Sequence, residues 1–174
     1  MRAPGASSAR YRGGADNDTL IGSDAADRFE GDENADLLVG QGGNDSLYGG
    51  EFPDVLLSGD EDELAGGLGL DFLTGGADAD IFVFRTIAQA GIGATRDQIL
   101  DFEQGVDVIK VVSMTPGVFT FVGNGAFTGA NQIRVIETAF GSSIVHFETT
   151  GDGIANAEIR VAGVVGLTTD DFAL

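Results

Sequence analysis

The sequence predicts an all-β protein: a parallel β-roll of nonapeptide repeats followed by a β-rich, largely antiparallel cap. Three observations carry that prediction. From Gly13 onward an acid and a large apolar residue recur in fixed register about every nine positions. The same segment, residues 13–84, concentrates glycine and carboxylate. Beyond it the pattern changes to apolar–polar alternation of period two, the signature of half-buried strands.

Read in steps of nine from Gly13, the chain gives GGADNDTLI, GSDAADRFE, GDENADLLV, GQGGNDSLY and GGEFPDVLL. An eight-residue copy, SGDEDELA, follows, then GGLGLDFLT and GGADADIFV. The sixth position is Asp18, Asp27, Asp36, Asp45, Asp54, Asp62, Asp71 and Asp80; the eighth is Leu20, Phe29, Leu38, Leu47, Leu56, Leu64, Leu73 and Phe82. A flexible linker has no reason to keep buried-type residues in register.

Each copy divides into a turn and a short strand. Glycines such as Gly13, Gly31 and Gly40 at the first position, and Gly67 and Gly76 at the second, let the backbone turn tightly. The fourth position holds Asp16, Asn34, Gly43, Gly69 and Asp78, residue types that tolerate a left-handed conformation. Such a turn aims carbonyl oxygens and the sixth-position carboxylate at one point, an arrangement that suits a hard cation such as calcium. The last three residues form only a short strand with the eighth facing inward. One copy cannot bury its leucine, whereas stacked copies can.

Charge gives the cation a reason to be there. Residues 13–84 carry 18 Asp and Glu against Arg28 alone, a formal −17 of the chain's −19. Carboxylates stacked at strand spacing, about 4.8 Å, repel by about 3 kcal/mol per pair at an effective dielectric of about 20. Several such pairs exceed the ~5–15 kcal/mol stability of an ordinary domain. The same charge argues against nucleic acid or anionic membranes as partners.

These copies resemble the glycine-rich calcium-binding repeat of RTX proteins. The resemblance implies a parallel β-roll in which two nonapeptides make one coil and calcium lies between turns of successive coils. Alternate copies then share a side, giving one column of Asp18, Asp36, Asp54 and Asp71 and another of Asp27, Asp45, Asp62 and Asp80. Three gaps per side imply up to about six calcium ions. Departures occur at Ala25, strained if left-handed; at Phe52–Pro53 in the fifth turn; and in the short sixth copy. The first, fourth, seventh and eighth copies are therefore expected to make the better sites.

The roll is expected over residues 13–84, closed by the apolar run IFVF, after a disordered tail at 1–12. Residues 85–96 read as a loop or capping turn. Five candidate strands follow: VDVIKVV, FTFVG, NQIRVIET, SSIVHFET and AEIRVAGVV. The phrases GATRDQILDFEQGVDVI, FTFVGNGAFTG and TTGDGIANAEIRVAGVVGLTTDDF are similar to the C-terminal domain of serralysin-type secreted metalloproteases. Where relatives carry Asp and Ser after the D-x-I phrase, this chain has Lys110 and Val112, which weakens a calcium role for Asp107. Asp97 and Asp101 remain ligand or cap candidates at the roll's end. Glu148, Thr150 and Asp152 sit at EF-hand-like spacing, but Ile159 occupies the twelfth position, so a plain turn competes with a calcium loop.

Several classes are excluded. There is no cysteine, hence neither disulfide nor thiolate site; no apolar run is long enough for a membrane span; residues 1–12 lack a signal-peptide core. The sole histidine, His146, rules out an H-E-x-x-H zinc helix and reads as a cross-strand partner. No catalytic constellation is visible. The resemblance implies a calcium-folded module secreted to the extracellular space by a type I apparatus through an uncleaved C-terminal signal in TTDDFAL. A competing reading makes Phe172 part of a final packed strand. A protease, lipase or epimerase domain upstream is one context; a stand-alone extracellular structural or adhesive protein is the other.

Overall fold

The computed structural model describes residues 7–112 and 117–174; residues 1–6 of the expected tail lie outside them. Eight copies give eight short strands that fall alternately into two sheets. The odd copies supply β2 (Thr19–Ile21), β4 (Leu37–Val39), β6 (Val55–Leu57) and β8 (Phe72–Thr74). The even copies supply β3 (Arg28–Asp32), β5 (Ser46–Glu51), β7 (Glu63–Leu68) and β9 (Ile81–Phe84). Pairing is parallel and steps by one coil, with Leu20 beside Leu38, Leu38 beside Leu56, and Phe29 beside Leu47.

The roll starts before Gly13. Strand β1 (Arg10–Gly14) pairs with β3, placing Arg10 beside Arg28 and Tyr11 beside Phe29. The N–H of Ala9 donates to Oδ1 of Asp27, so Ala9 stands where other copies place aspartate. Residues 10–12, expected in a disordered tail, are thus strand. Arg10 and Arg12 pair with Glu30, which gives the segment a partner that composition did not reveal.

Nor does the roll close at Ile81–Phe84. After a helical turn α1 (Ile87–Ala90), β10 (Asp97–Ile99) extends the odd sheet beside β8, and β11 (Val108–Val111) extends the even sheet beside β9. The cap then forms from β12 (Thr120–Phe121), β13 (Gln132–Glu137), β14 (Ser143–Glu148) and β15 (Ala157–Val161). Pairs β13–β14 and β14–β15 are antiparallel, while β15 runs parallel to β10 and fuses cap to roll. A last strand, β16 (Phe172–Ala173), pairs in parallel with β11. The result is one seven-stranded and one nine-stranded sheet enclosing a single core.

Two apolar ladders fill that core. Leu20, Leu38, Leu56, Leu73 and Ile99 face Phe29, Leu47, Leu64, Phe82 and Ile109, each 0–1 % exposed. Burying one such side chain contributes about 1.5–3 kcal/mol, and the gain exists only when neighbouring coils are in place. The outer faces differ. On the even sheet Arg28 lies over the Tyr48 ring at 4.4 Å, and the Tyr48 hydroxyl donates to Glu63 at 2.9 Å. The odd sheet presents Leu37, Val39, Leu57 and Phe72, all half-buried.

Candidate metal centre

The sixth-position aspartates lie inside the turns. Asp27, Asp36, Asp45, Asp54, Asp62, Asp71 and Asp80 are at most 4 % exposed; Asp18, on the first complete odd turn, is half-buried. Their columns are wired by one repeated bond: the N–H of each aspartate donates to Oδ1 of the aspartate one coil later. On the odd side this links Asp18 to Asp36, Asp36 to Asp54 and Asp54 to Asp71, each at 2.8 Å. On the even side it links Asp27 to Asp45, Asp45 to Asp62 and Asp62 to Asp80 at 2.6–2.9 Å. The two four-membered groupings expected from the resemblance are thus the ones the backbone makes.

Each column has a further rung. Asp71 donates to Oδ1 of Asp97 at 2.9 Å, and Asp80 donates to Oδ1 of Asp107 at 3.0 Å. Both acceptors are almost fully buried. The sequence weakens a calcium role for Asp107, because Lys110 and Val112 stand where relatives carry Asp and Ser, and offers Asp97 as either a ligand or a cap. The available signal was the triplet itself, since Asp97-Gln98-Ile99 and Asp107-Val108-Ile109 repeat the acid–x–apolar ending of a copy. Asp101 serves differently, its two oxygens accepting the N–H groups of Gly75 and Gly76.

The second carboxylate oxygen marks the site. Oδ2 of Asp36, Asp45, Asp54, Asp71, Asp80 and Asp97 is buried and has no hydrogen-bond partner. A buried unpaired anionic oxygen is costly, and its repetition along two columns calls for a missing positive charge. Burial first, and neighbouring aspartates second, push Asp54 up to about 8 and Asp97 up to about 9. For Asp45 and Asp80 burial outweighs the bonds from Asp27 and Asp62 and gives about 7. Burial and neighbouring aspartates thus disfavour the charged form along both columns, and a cation between coils would favour it.

The first-position glycines complete the cradle. A Cβ on Gly13 would lie 2.7 Å from Oδ2 of Asp18 and 2.8 Å from the Gly31 carbonyl oxygen. On Gly31 it would meet Oδ2 of Asp36 and the carbonyl of Gly49; on Gly49, Oδ2 of Asp54 and the carbonyl of Gly66. Gly40 and Gly75 face Oδ2 of Asp45 and Asp80, with the Ser58 hydroxyl rather than a carbonyl as the further oxygen at Gly40. At Gly13, Gly31 and Gly49 a carboxylate and a main-chain carbonyl from the next coil therefore converge where glycine leaves room. Among the described residues no three acidic or histidine side chains cluster, and the main-chain carbonyls beside the aspartates are further oxygen donors. All-oxygen donors of this kind fit a hard cation of calcium's flexible geometry.

The copies differ. In the second, Ser23 donates to Oδ2 of Asp27 through N–H and hydroxyl, and in the sixth, Gly59 N–H donates to Oδ2 of Asp62. Those oxygens are satisfied within their own turns. Ala25 is not among the left-handed residues; its N–H instead faces the Ser23 hydroxyl at 3.3 Å, so the strain expected there does not arise. Asp16, Asn34 and Asp78 do take positive φ, as do Gly43 and Gly69 at the fourth position and Gly67 and Gly76 at the second. Phe52 is left-handed at φ 77°, yet the adjoining Asp54 keeps its buried, unpaired oxygen.

In the 148–156 loop, Oε1 of Glu148 accepts from Thr150 and Gly151, and Asn156 accepts from Thr149. Asp152 accepts from Ile154. These oxygens brace the turn, while Oε2 of Glu148 is buried without a hydrogen-bond partner, as in the columns. His146 sits between Arg134 and Glu158 across the cap sheet.

Parallel coils of two short strands, with a wired aspartate column along each turn, define an RTX-type β-roll. Residues 10–174 match the family described as Peptidase M10 serralysin C terminal, and the chain belongs to it. That family is the non-catalytic C-terminal domain of secreted proteases, and membership implies calcium binding. Two solved structures are similar to the chain, both subunits of the Azotobacter vinelandii mannuronan C5-epimerase. The AlgE6R3 subunit is 26% identical over 88% of this chain and 80% of its own, with a TM-score of 0.49. The AlgE6R2 subunit is 27% identical over 87% and 89%, with a TM-score of 0.44. No curated protein gives a match. Among the described residues no helix is long and apolar enough to cross a membrane.

Proposed function

We propose that this chain is a calcium-dependent folding module that supports export by a type I secretion apparatus and folds outside the cell, as the C-terminal part of a larger secreted protein such as a serralysin-type metalloprotease. The observation that carries the proposal is the set of six buried Oδ2 atoms without partners, five of them set against a first-position glycine and two, those of Asp36 and Asp54, also beside a carbonyl from the next coil. Asp36, Asp54, Asp71 and Asp97 would hold ions on one side, and Asp45 and Asp80 on the other. Asp18, Asp27 and Asp62 would contribute at the ends and in the tighter turns. Three gaps per side between the glycine-rich turns would hold up to about six ions. Calcium supplies charge neutralisation between coils; the chain supplies the oxygens and the backbone register.

Where calcium is scarce, the charged columns keep the repeats unfolded and threadable. In millimolar calcium they neutralise and the ladders close. The test is far-ultraviolet circular dichroism of the full chain in chelator and through a calcium titration, with calorimetry to count ions. Cooperative gain of strand signal is the expected result. A folded spectrum unchanged by excess chelator would refute the proposal. Magnesium, which demands octahedral geometry and retains water, is expected to substitute poorly.

A further inference from the structure

We propose that the two aspartate columns hold calcium unequally: the odd turns form the tight column that triggers folding, and the even turns bind fewer ions, at higher calcium. The inference rests on the calcium-folding reading above and assigns that response to particular turns. Two independent features of the turns coincide. In the first, third, fourth, fifth, seventh and eighth copies the second and fourth residues are both left-handed, from Gly14 and Asp16 in the first to Gly76 and Asp78 in the eighth. In the second and sixth copies Ser23, Ala25 and residues 58–61 take no such conformation. These two are also the copies whose aspartate closes its own turn. The Ser23 N–H donates to Oδ2 of Asp27 at 2.8 Å, and the Gly59 N–H to Oδ2 of Asp62 at 3.0 Å. The sixth copy is a residue short, and the second has Ser23 and Ala25 where the first has Gly14 and Asp16.

The closed turns all fall on one side. Along the even column Oδ2 of Asp27, Asp62 and Asp107 is taken up by an N–H, that of Asp107 by Glu103 at 2.7 Å. Asp45 and Asp80, which alternate with them, keep Oδ2 buried and unpaired. Every even gap therefore has one closed flank. Along the odd column Asp36, Asp54, Asp71 and Asp97 follow one another with Oδ2 buried and unpaired, so each gap between them is open on both flanks. An N–H aimed at a carboxylate oxygen stabilises its charge and sets partial positive charge where a cation has to approach. At Gly22 a Cβ would meet both Oδ2 of Asp27 and the Gly40 carbonyl, a cradle like those of the odd turns, yet Ser23 already engages that oxygen. The need for an ion is unequal too, because the closed even turns stabilise their carboxylates without one. The odd column therefore sets the calcium concentration at which the roll folds.

Native mass spectrometry of the full chain across a calcium titration, run beside circular dichroism, tests this. The three gaps of the odd glycine-rich turns and the one between Asp71 and Asp97 predict about four ions on the species that first folds. Further ions are expected only at calcium at least about tenfold higher. Asp54 and Asp45 make a matched pair, since Asp54 stands between open turns and Asp45 between closed ones. Asp54→Asn should remove ions from the first group and raise the folding midpoint at least about threefold more than Asp45→Asn does. Asp45→Asn should deplete the second group. A single group of ions that fills together, or equal midpoint shifts in the two variants, would overturn the asymmetry and leave calcium folding standing. Should either variant fail to fold, the ion count of the parent chain decides the matter. A dichroism spectrum indifferent to calcium would overturn the folding reading beneath it.

Discussion

The N–H of Asp71 donates 2.9 Å to Oδ1 of Asp97, across 26 residues of sequence. It is the same bond that joins Asp36 to Asp54 inside the repeats, yet Asp97 belongs to no glycine-rich copy. The aspartate wiring therefore runs from the roll into the cap without interruption. A compositional edge at Phe84 has no counterpart in the hydrogen bonding, and the two sheets fold as one body.

Asp54 offers a test of the column that leaves its shape intact. Asp54→Asn keeps an oxygen to accept the Asp36 N–H but removes a charge that burial pushes up to about 8. The variant is expected to need several times more calcium for half-maximal folding. It should also retain more structure in chelator, because its repulsions with Asp36 and Asp71, about 3 kcal/mol each, disappear. A dichroism-monitored calcium titration reads both, and unchanged calcium demand would count against Asp54 as a ligand.

Phe82 separates core from ligand. It is 0 % exposed, and its ring lies 6.1 Å from that of Phe102. Phe82→Ala should destabilise the calcium-loaded form by about 3–5 kcal/mol, measured by denaturant melting at saturating calcium. A loss below about 1 kcal/mol would be incompatible with the ladder described.

Two glycines of positive φ should respond very differently to alanine. At Gly67, φ 111°, a Cβ would collide with the carbonyl oxygen and backbone of Gly50; at Gly163, φ 71°, it would meet open space. Gly163→Ala should cost only the left-handed penalty, about 1–2 kcal/mol. Gly67→Ala should cost clearly more and impair assembly of adjacent coils. Thermal melts of the two variants in calcium decide it.

His146 gives the cap a pH dependence of defined sign. Burial lowers its pKa below 6.5; Glu158 opposes this, and Arg134 and Arg96 reinforce it. The unfolded chain therefore binds the proton more readily than the folded one, and stability rises with pH. The contribution is fully present above about pH 6.5 and is lost as pH falls through the lower folded value. His146→Gln should flatten the melting temperature between pH 7 and pH 5 relative to the parent. An unaltered slope would show that His146 does not titrate as described.

What could be read from sequence follows from what is local. Asp36 and Leu38 stand two apart within one copy, and their recurrence reports the turn, the strand, the inward face and the column without any tertiary information. The pairing of alternate copies came with the family resemblance. Ala9, Asp97 and Asp107 were harder, because each has the position of a column residue without the glycines that announce one. Ala25 avoids the left-handed conformation that would strain it, because Ser23 closes that turn by another bond.

Sequence by itself determined the repeat, the stacking of its apolar residues and the reason for a cation, because register and like charge are properties of the order of residues along the chain. Tertiary structure alone decided where the roll begins and ends, which carboxylate oxygens are left without donors, and that Phe172 returns to lie against Ile109. Those outcomes depend on which segments meet across 18 to 67 residues, and contacts at that distance are selected by packing of the whole sheet rather than by any local pattern.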